Sequence, residues 1–156
     1  MHVTGRFPGL RFDWARYSAD FDAALRLQLR LAARAWLRAV ILSVPSWTGQ
    51  SRGSLQPIGR FIGITVPAPV SPTAPGDRSG LGRRQQAFNF TAAGGIYMMH
   101  WETHVPHYLI NEYYQVDLPL LHPTPWYSLE AGEQAWYAYL QGNLLRNIPN
   151  PAAYFS

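Results

Sequence analysis

SADFDAALRLQLRLAARAWLRAVILS, residues 18–43, is the stretch on which the fold turns. Phe21, Leu25, Leu29, Ala32, Trp36 and Val40 recur at three- and four-residue intervals. That spacing places them on one face of a helix and predicts that this face is buried. Ser18 is positioned to cap the helix, and Asp20 and Asp22 fall in its first turns, where carboxylates suit the helix dipole. Val44-Pro45 ends it, because the residue before a proline disfavours α geometry.

C-terminal to this helix, residues 46–54 (SWTGQSRGS) read as a turn-rich loop. Ile58, Ile62, Ile64 and Val66 then predict a strand, stopped by Pro67 and Pro69. Residues 67–84 hold four Pro and three Gly and read as one extended loop. Loops longer than about 12–15 residues in a compact domain are functional or disordered. Residues 85–92 and 96–104 predict two strands of a hairpin around Gly94-Gly95. Residues 107–114 fit either a short helix or an extended segment. Thr124-Pro125 is a helix start, with a capping residue ahead of proline at the first helical position. The helix it opens runs to about Leu145 and buries Trp126, Leu129, Trp136, Leu140 and Leu144.

N-terminal to the long helix, residues 1–17 form a basic arm without an apolar signal core. The expected organisation is therefore an arm, one domain over residues 18–146, and a Pro-rich tail over residues 147–156. The expected class is α+β. A long N-terminal helix and a C-terminal helix pack on a small antiparallel sheet of three or four strands, with a long Pro/Gly loop.

Composition narrows the function. Charged residues make up only 14% of the 156, against 47% hydrophobic. Soluble domains average about 25% charged, so part of the apolar surface is expected to be covered by partners. Six Trp, nine Tyr and seven Phe are side chains that interfaces favour. There is no Cys, which excludes disulfides, thiol nucleophiles and Cys-based zinc sites. Every basic residue is Arg, which excludes a phosphate-loop Lys and a Schiff-base Lys. No run of about 20 apolar residues is present to span a membrane.

The catalytic patterns are weak. Gly49-Gln50-Ser51-Arg52-Gly53 matches G-x-S-x-G, but a nucleophile elbow needs a strand before it and a helix after it. The predicted order here is helix, then strand. His100, His104 and His107 cluster in sequence. On a strand, His100 and His104 stand about 13 Å apart, too far to share a metal; on a helix, Pro106 intervenes. No catalytic residue, metal or cofactor is expected.

The basic signal is stronger. Residues 1–38 carry seven Arg and three Asp, which is the whole net charge of +4. The remainder carries six Arg and six acids. Arg26, Arg30, Arg34 and Arg38 recur every four residues and form a helical stripe whose members repel one another. Solvent, a neighbouring subunit's acids, or DNA phosphate can offset that repulsion. In a ring of subunits such a stripe would line a channel.

Pro45, Thr48, Gly49, Arg52, Ser54 and Leu55 form a P-x-x-T-G-x-x-R-x-S-L turn after the long helix. This stretch resembles the neck family of long-tailed double-stranded DNA bacteriophages, the head–tail joining or tail-completion proteins. His107-Tyr108 near Asn111-Glu112, and Trp126, are similar to later features of that family. The resemblance implies a virion protein, assembled in the host cytoplasm. It would form a sixfold or twelvefold ring at the head–tail junction. Partners would be copies of itself, the adjacent connector or head-closure protein, and the tail-tube or terminator protein, with non-specific contact to packaged DNA. A tail-terminator ring subunit and a free nucleic-acid-binding protein are the alternatives. Candidate interface or channel residues are Arg26, Arg30, Arg34, Arg38, Arg52, Arg78, Arg83, Arg84, Tyr154 and Phe155. The loop at 67–84, the arm and the tail are expected to reach neighbours.

Overall fold

In the computed structural model, residues 9–93, 96–106, 108 and 126–156 are described. Helix α1 spans Trp14–Ser43 and starts four residues earlier than the sequence suggested. Asp13, not Ser18, caps it: the Asp13 carboxylate accepts from the Arg16 amide at 3.0 Å. Ser18 lies inside the helix and donates back to the Ala15 carbonyl. The helix stops at Val44, whose extended backbone is what the following Pro45 demands.

The second element corrects the sequence reading. Residues 50–62 form a helix, α2 (Gln50–Ile62), where a loop and a strand were expected. Leu55, Ile58 and Ile62 share its buried face. Their intervals of three and four are helical, so the apparent alternation towards Ile64 and Val66 was the wrong period. Pro57 sits inside the helix, where it removes one backbone donor. Tertiary packing outweighs that local cost.

The supposed loop at 67–84 is also shorter than expected. Its last six residues form α3 (Ser79–Arg84), which packs against α2. Glycines make the approach possible. A side chain at Gly53 would collide with the Ser79 backbone, and one at Gly82 with the Gln50 backbone. The remaining stretch is pinned rather than free. The Ser71 amide donates to the Trp47 carbonyl at 2.7 Å, and the Arg78 amide to Thr48 at 2.8 Å.

Strands β1 (Gln86–Ala93) and β2 (Ile96–Thr103) pair antiparallel, from Gln86 opposite Thr103 to Ala93 opposite Ile96. Among the described residues the sheet has these two strands only, not three or four. Gly94-Gly95 and most of the undecided stretch at 107–114 lie outside the described residues. So does Thr124-Pro125, the expected helix start. Helix α4 runs Ser128–Asn143, so Trp126 precedes it and it ends short of Leu145. A 3-10 turn at Pro151–Tyr154 closes the chain.

The fold is α+β, with the helices forming its body. Helix α4 packs against α1, and α2 contacts α1 as well. The core joins Ala33, Leu37, Val40 and Val44 of the α1 region to Leu55, Ile58 and Ile62 of α2, with Val66, Val105 and Tyr108. Because α1 is held on two sides, its buried arc is shifted from the predicted face. Phe21 is exposed and Trp36 half-buried, whereas Ala33 and Leu37 are buried. Leu144, predicted buried in the last helix, is exposed. The hairpin lies against this body through Trp101, whose indole donates to the Ser54 carbonyl at 3.2 Å.

Candidate functional site

Three of the four stripe arginines have partners within the chain. Arg26 pairs with Asp22 at 2.6 Å and lies over the Tyr97 ring. Arg30 donates to the Phe61 carbonyl at 3.2 Å, and Arg34 to the Ile62 carbonyl at 2.7 Å. Those carbonyls belong to the last turn of α2, which has no further turn to accept from. Cations are favoured there by both hydrogen bonding and the helix dipole. The repulsion along the stripe is thus offset by the end of a neighbouring helix. Gly63 completes the arrangement with a left-handed φ of 73°. A side chain there would stand 3.0 Å from the Arg34 guanidinium. Arg38 is exposed, and no acceptor partners it among the described residues.

The other candidate arginines are scattered. Arg52, in the first turn of α2, donates to the Val44 carbonyl at 2.7 Å and so joins the end of α1 to the start of α2. Its partial burial lowers the guanidinium pKa from the usual value. Arg78 precedes α3 and Arg83 reaches the Gln56 amide oxygen at 3.0 Å. Arg84 is exposed. The structure does not bring these residues together with the stripe into one site.

Tyr154 and Phe155 meet the start of α1 rather than pointing away. Phe12 and Phe155 form an antiparallel bridge, and Arg11 and Ser156 exchange two backbone hydrogen bonds of 2.9 Å. Tyr154 packs on Tyr17, and its hydroxyl donates to Asp20 at 2.7 Å. That bond, with some desolvation, raises the phenol pKa above its ordinary value. Residues 9–17 and the tail therefore clasp each other within one chain. Trp14, at the edge of this aromatic group, is 72% exposed.

Two features were not legible in the sequence. The first is a cavity of about 230 Å³ bounded by α1, α2, the hairpin and α4. Phe61, Phe90, Tyr97 and Trp136 line it, with Met99 between them and Arg26 and Arg30 at its edge. The second is the outer face of the hairpin. Tyr97, Met99 and Trp101 turn to the body, which leaves Ile96 and Met98 outward, 65% and 56% exposed. The alternation in IYMMHWET could have signalled this face, but both of its faces carry apolar residues.

The Gly49–Gly53 pattern is followed by a helix after all, since Ser51 is in the first turn of α2. What precedes it is α1 and a turn, not a strand. Among the described residues, His100 is exposed on β2, His104 approaches Glu102 at 3.3 Å, and no group of three potential metal ligands is assembled. No described helix is long and apolar enough to cross a membrane. Against this geometry, no protein-family model, curated protein or solved structure matches the chain.

Proposed function

We propose that this chain is a non-catalytic structural subunit that works in a homo-oligomeric ring, of the kind that joins head to tail in long-tailed DNA phages. The observation that carries the assembly reading is the hairpin. Among the described residues both outer edges of its two strands are unpaired, and its outer face presents Ile96 and Met98 to solvent. Open edges and apolar outward side chains invite another chain to pair or pack. The position at the phage neck rests on the resemblance around Pro45, Thr48, Gly49 and Arg52.

The intramolecular roles of Arg30 and Arg34 count against the free nucleic-acid-binding alternative, because their charges already serve the end of α2. Neighbouring copies and adjacent connector or tail-tube rings are the proposed partners. Sedimentation of the purified chain, with electron imaging, tests the assembly reading. Rings or other closed oligomers are expected, and a monomer at every concentration up to the millimolar range would sink it. Immunogold labelling of phage particles tests the location separately, with label expected where head meets tail.

A further inference from the structure

The tail and the start of α1 are two surfaces whose fit to each other is already visible. Among the described residues, every hydrogen bond that ties residues 150–156 to the rest of the chain ends on Arg11, Asp13 or Asp20. Phe155 packs on Phe12 and Tyr154 on Tyr17, with the Arg16 guanidinium over the Tyr154 ring. None of these residues belongs to the buried core. We propose that this clasp is exchanged between copies: residues 150–156 of one chain seat on residues 11–20 of the next, in the register seen within one chain. This rests on the assembly reading above and deepens it by naming the contact.

The occupant is the segment that already sits there. A second copy's tail is chemically identical, so it meets the same amides, the same Asp20 carboxylate and the same rings, and no new complementarity is needed. The linker permits the move. No residue of 144–156 is buried, and only Pro149 and Tyr154 are half-buried. Leu144, Leu145 and Ile148 border a cavity of about 150 Å³ against Phe21 and Leu25, so the linker is loosely packed. Segments with few buried contacts open at a fraction of the cost of global unfolding. Asn150 is extended, as a residue before proline is biased to be. Residues 144–149 can span about 20 Å when drawn out. Within one chain the tail has an effective concentration on the order of millimolar. Copies gathered through the hairpin hold a neighbour's tail at a comparable concentration, so exchange competes with closure.

The tail and the start of α1 are different surfaces, so passing each tail onward makes a head-to-tail contact, which closes into a ring when the rotation between copies permits. The chain has no Cys, so introduced thiols report this contact alone. Arg11 and Ser156 are a hydrogen-bonded antiparallel pair. Cα atoms in such a pair stand about 5.5 Å apart, which a disulfide can bridge. Arg11→Cys and Ser156→Cys, made in separate chains, can be joined to each other only between copies. Mixed equally at a concentration where the parent assembles, then oxidised and denatured, they should give a covalent dimer of one chain of each as the main product. With both substitutions in one chain, covalent multimers are expected at that concentration, and internally bridged monomers after dilution to where the parent is monomeric. If these variants lose their circular dichroism signal, Phe12→Cys and Phe155→Cys, the neighbouring pair, take their place. Internally bridged monomers alone from an assembled sample, with the mixed single variants unlinked, would overturn the exchange and leave the assembly reading standing. A parent chain that never assembles would overturn both.

Discussion

The two halves of α1 belong to one continuous helix and lead different lives. From Gln28 onward, Ala32, Ala33, Leu37 and Val40 are buried between α2 and α4. Before Gln28 no side chain of the helix is buried, and Trp14 and Leu27 face outward. The first half is accompanied by the tail, through Tyr17, Tyr154 and the Phe12–Phe155 bridge. Helical periodicity continues through both halves, so it reports that a helix exists and not how far its packing extends.

The largest expected consequence of that division is a difference in the cost of truncation. Leu37→Ala should destabilise the fold by about 3 kcal/mol, as buried leucines do. Leu27→Ala should stay within about 0.5 kcal/mol. Urea denaturation followed by circular dichroism measures both, and similar values for the two would erase the contrast. Next comes the pair of arginines in the buried half. Arg34→Gln should cost about 1–2 kcal/mol through the lost charged hydrogen bond to α2. Arg38→Gln, four residues on, should cost nothing measurable.

A smaller effect of opposite sign is expected where the halves meet. Gln28 is 2% exposed, its amide oxygen accepts from Tyr139, and its amide nitrogen is buried without a partner among the described residues. The double change Gln28→Met with Tyr139→Phe should therefore be neutral or stabilising by up to about 1 kcal/mol, because the unsatisfied donor goes and no hydroxyl is left without its acceptor. The smallest effect belongs to the exposed half and is visible in pH. The bond to Asp20 raises the Tyr154 pKa, so the folded chain holds that proton more tightly than the unfolded one. Its contribution is complete below the unfolded value near 10 and disappears as pH climbs through the higher folded value. The stability difference between the parent and Tyr154→Phe should hold steady at neutral pH and vanish in strong alkali.

Sequence made the elements with a single clean signal legible. The long helix with its Val44-Pro45 stop, the two strands of the hairpin and the last helix followed from period, while the Gly94-Gly95 and Thr124-Pro125 signals lie outside the described residues. It failed at α2 and α3 for a shared reason. Gly53, Pro57, Gly59 and Gly82 look like helix breakers when read locally. In the fold, Gly53 and Gly82 let the backbones of α2 and α3 approach closely, a need that exists only once both elements are present. The stripe of arginines was legible as a pattern but not as a role, since its acceptors at Phe61 and Ile62 lie about thirty residues away along the chain. The cavity is assembled from four elements and left no local trace.

The grip of Arg30 and Arg34 on the end of α2 also has a mechanical meaning. The two guanidiniums key α1 against rolling about its long axis, because a quarter turn would draw both away from their carbonyls. Load applied at the outward-facing end of the rod then reaches the rest of the molecule as thrust or tension. A helix keyed in this way can serve as a strut.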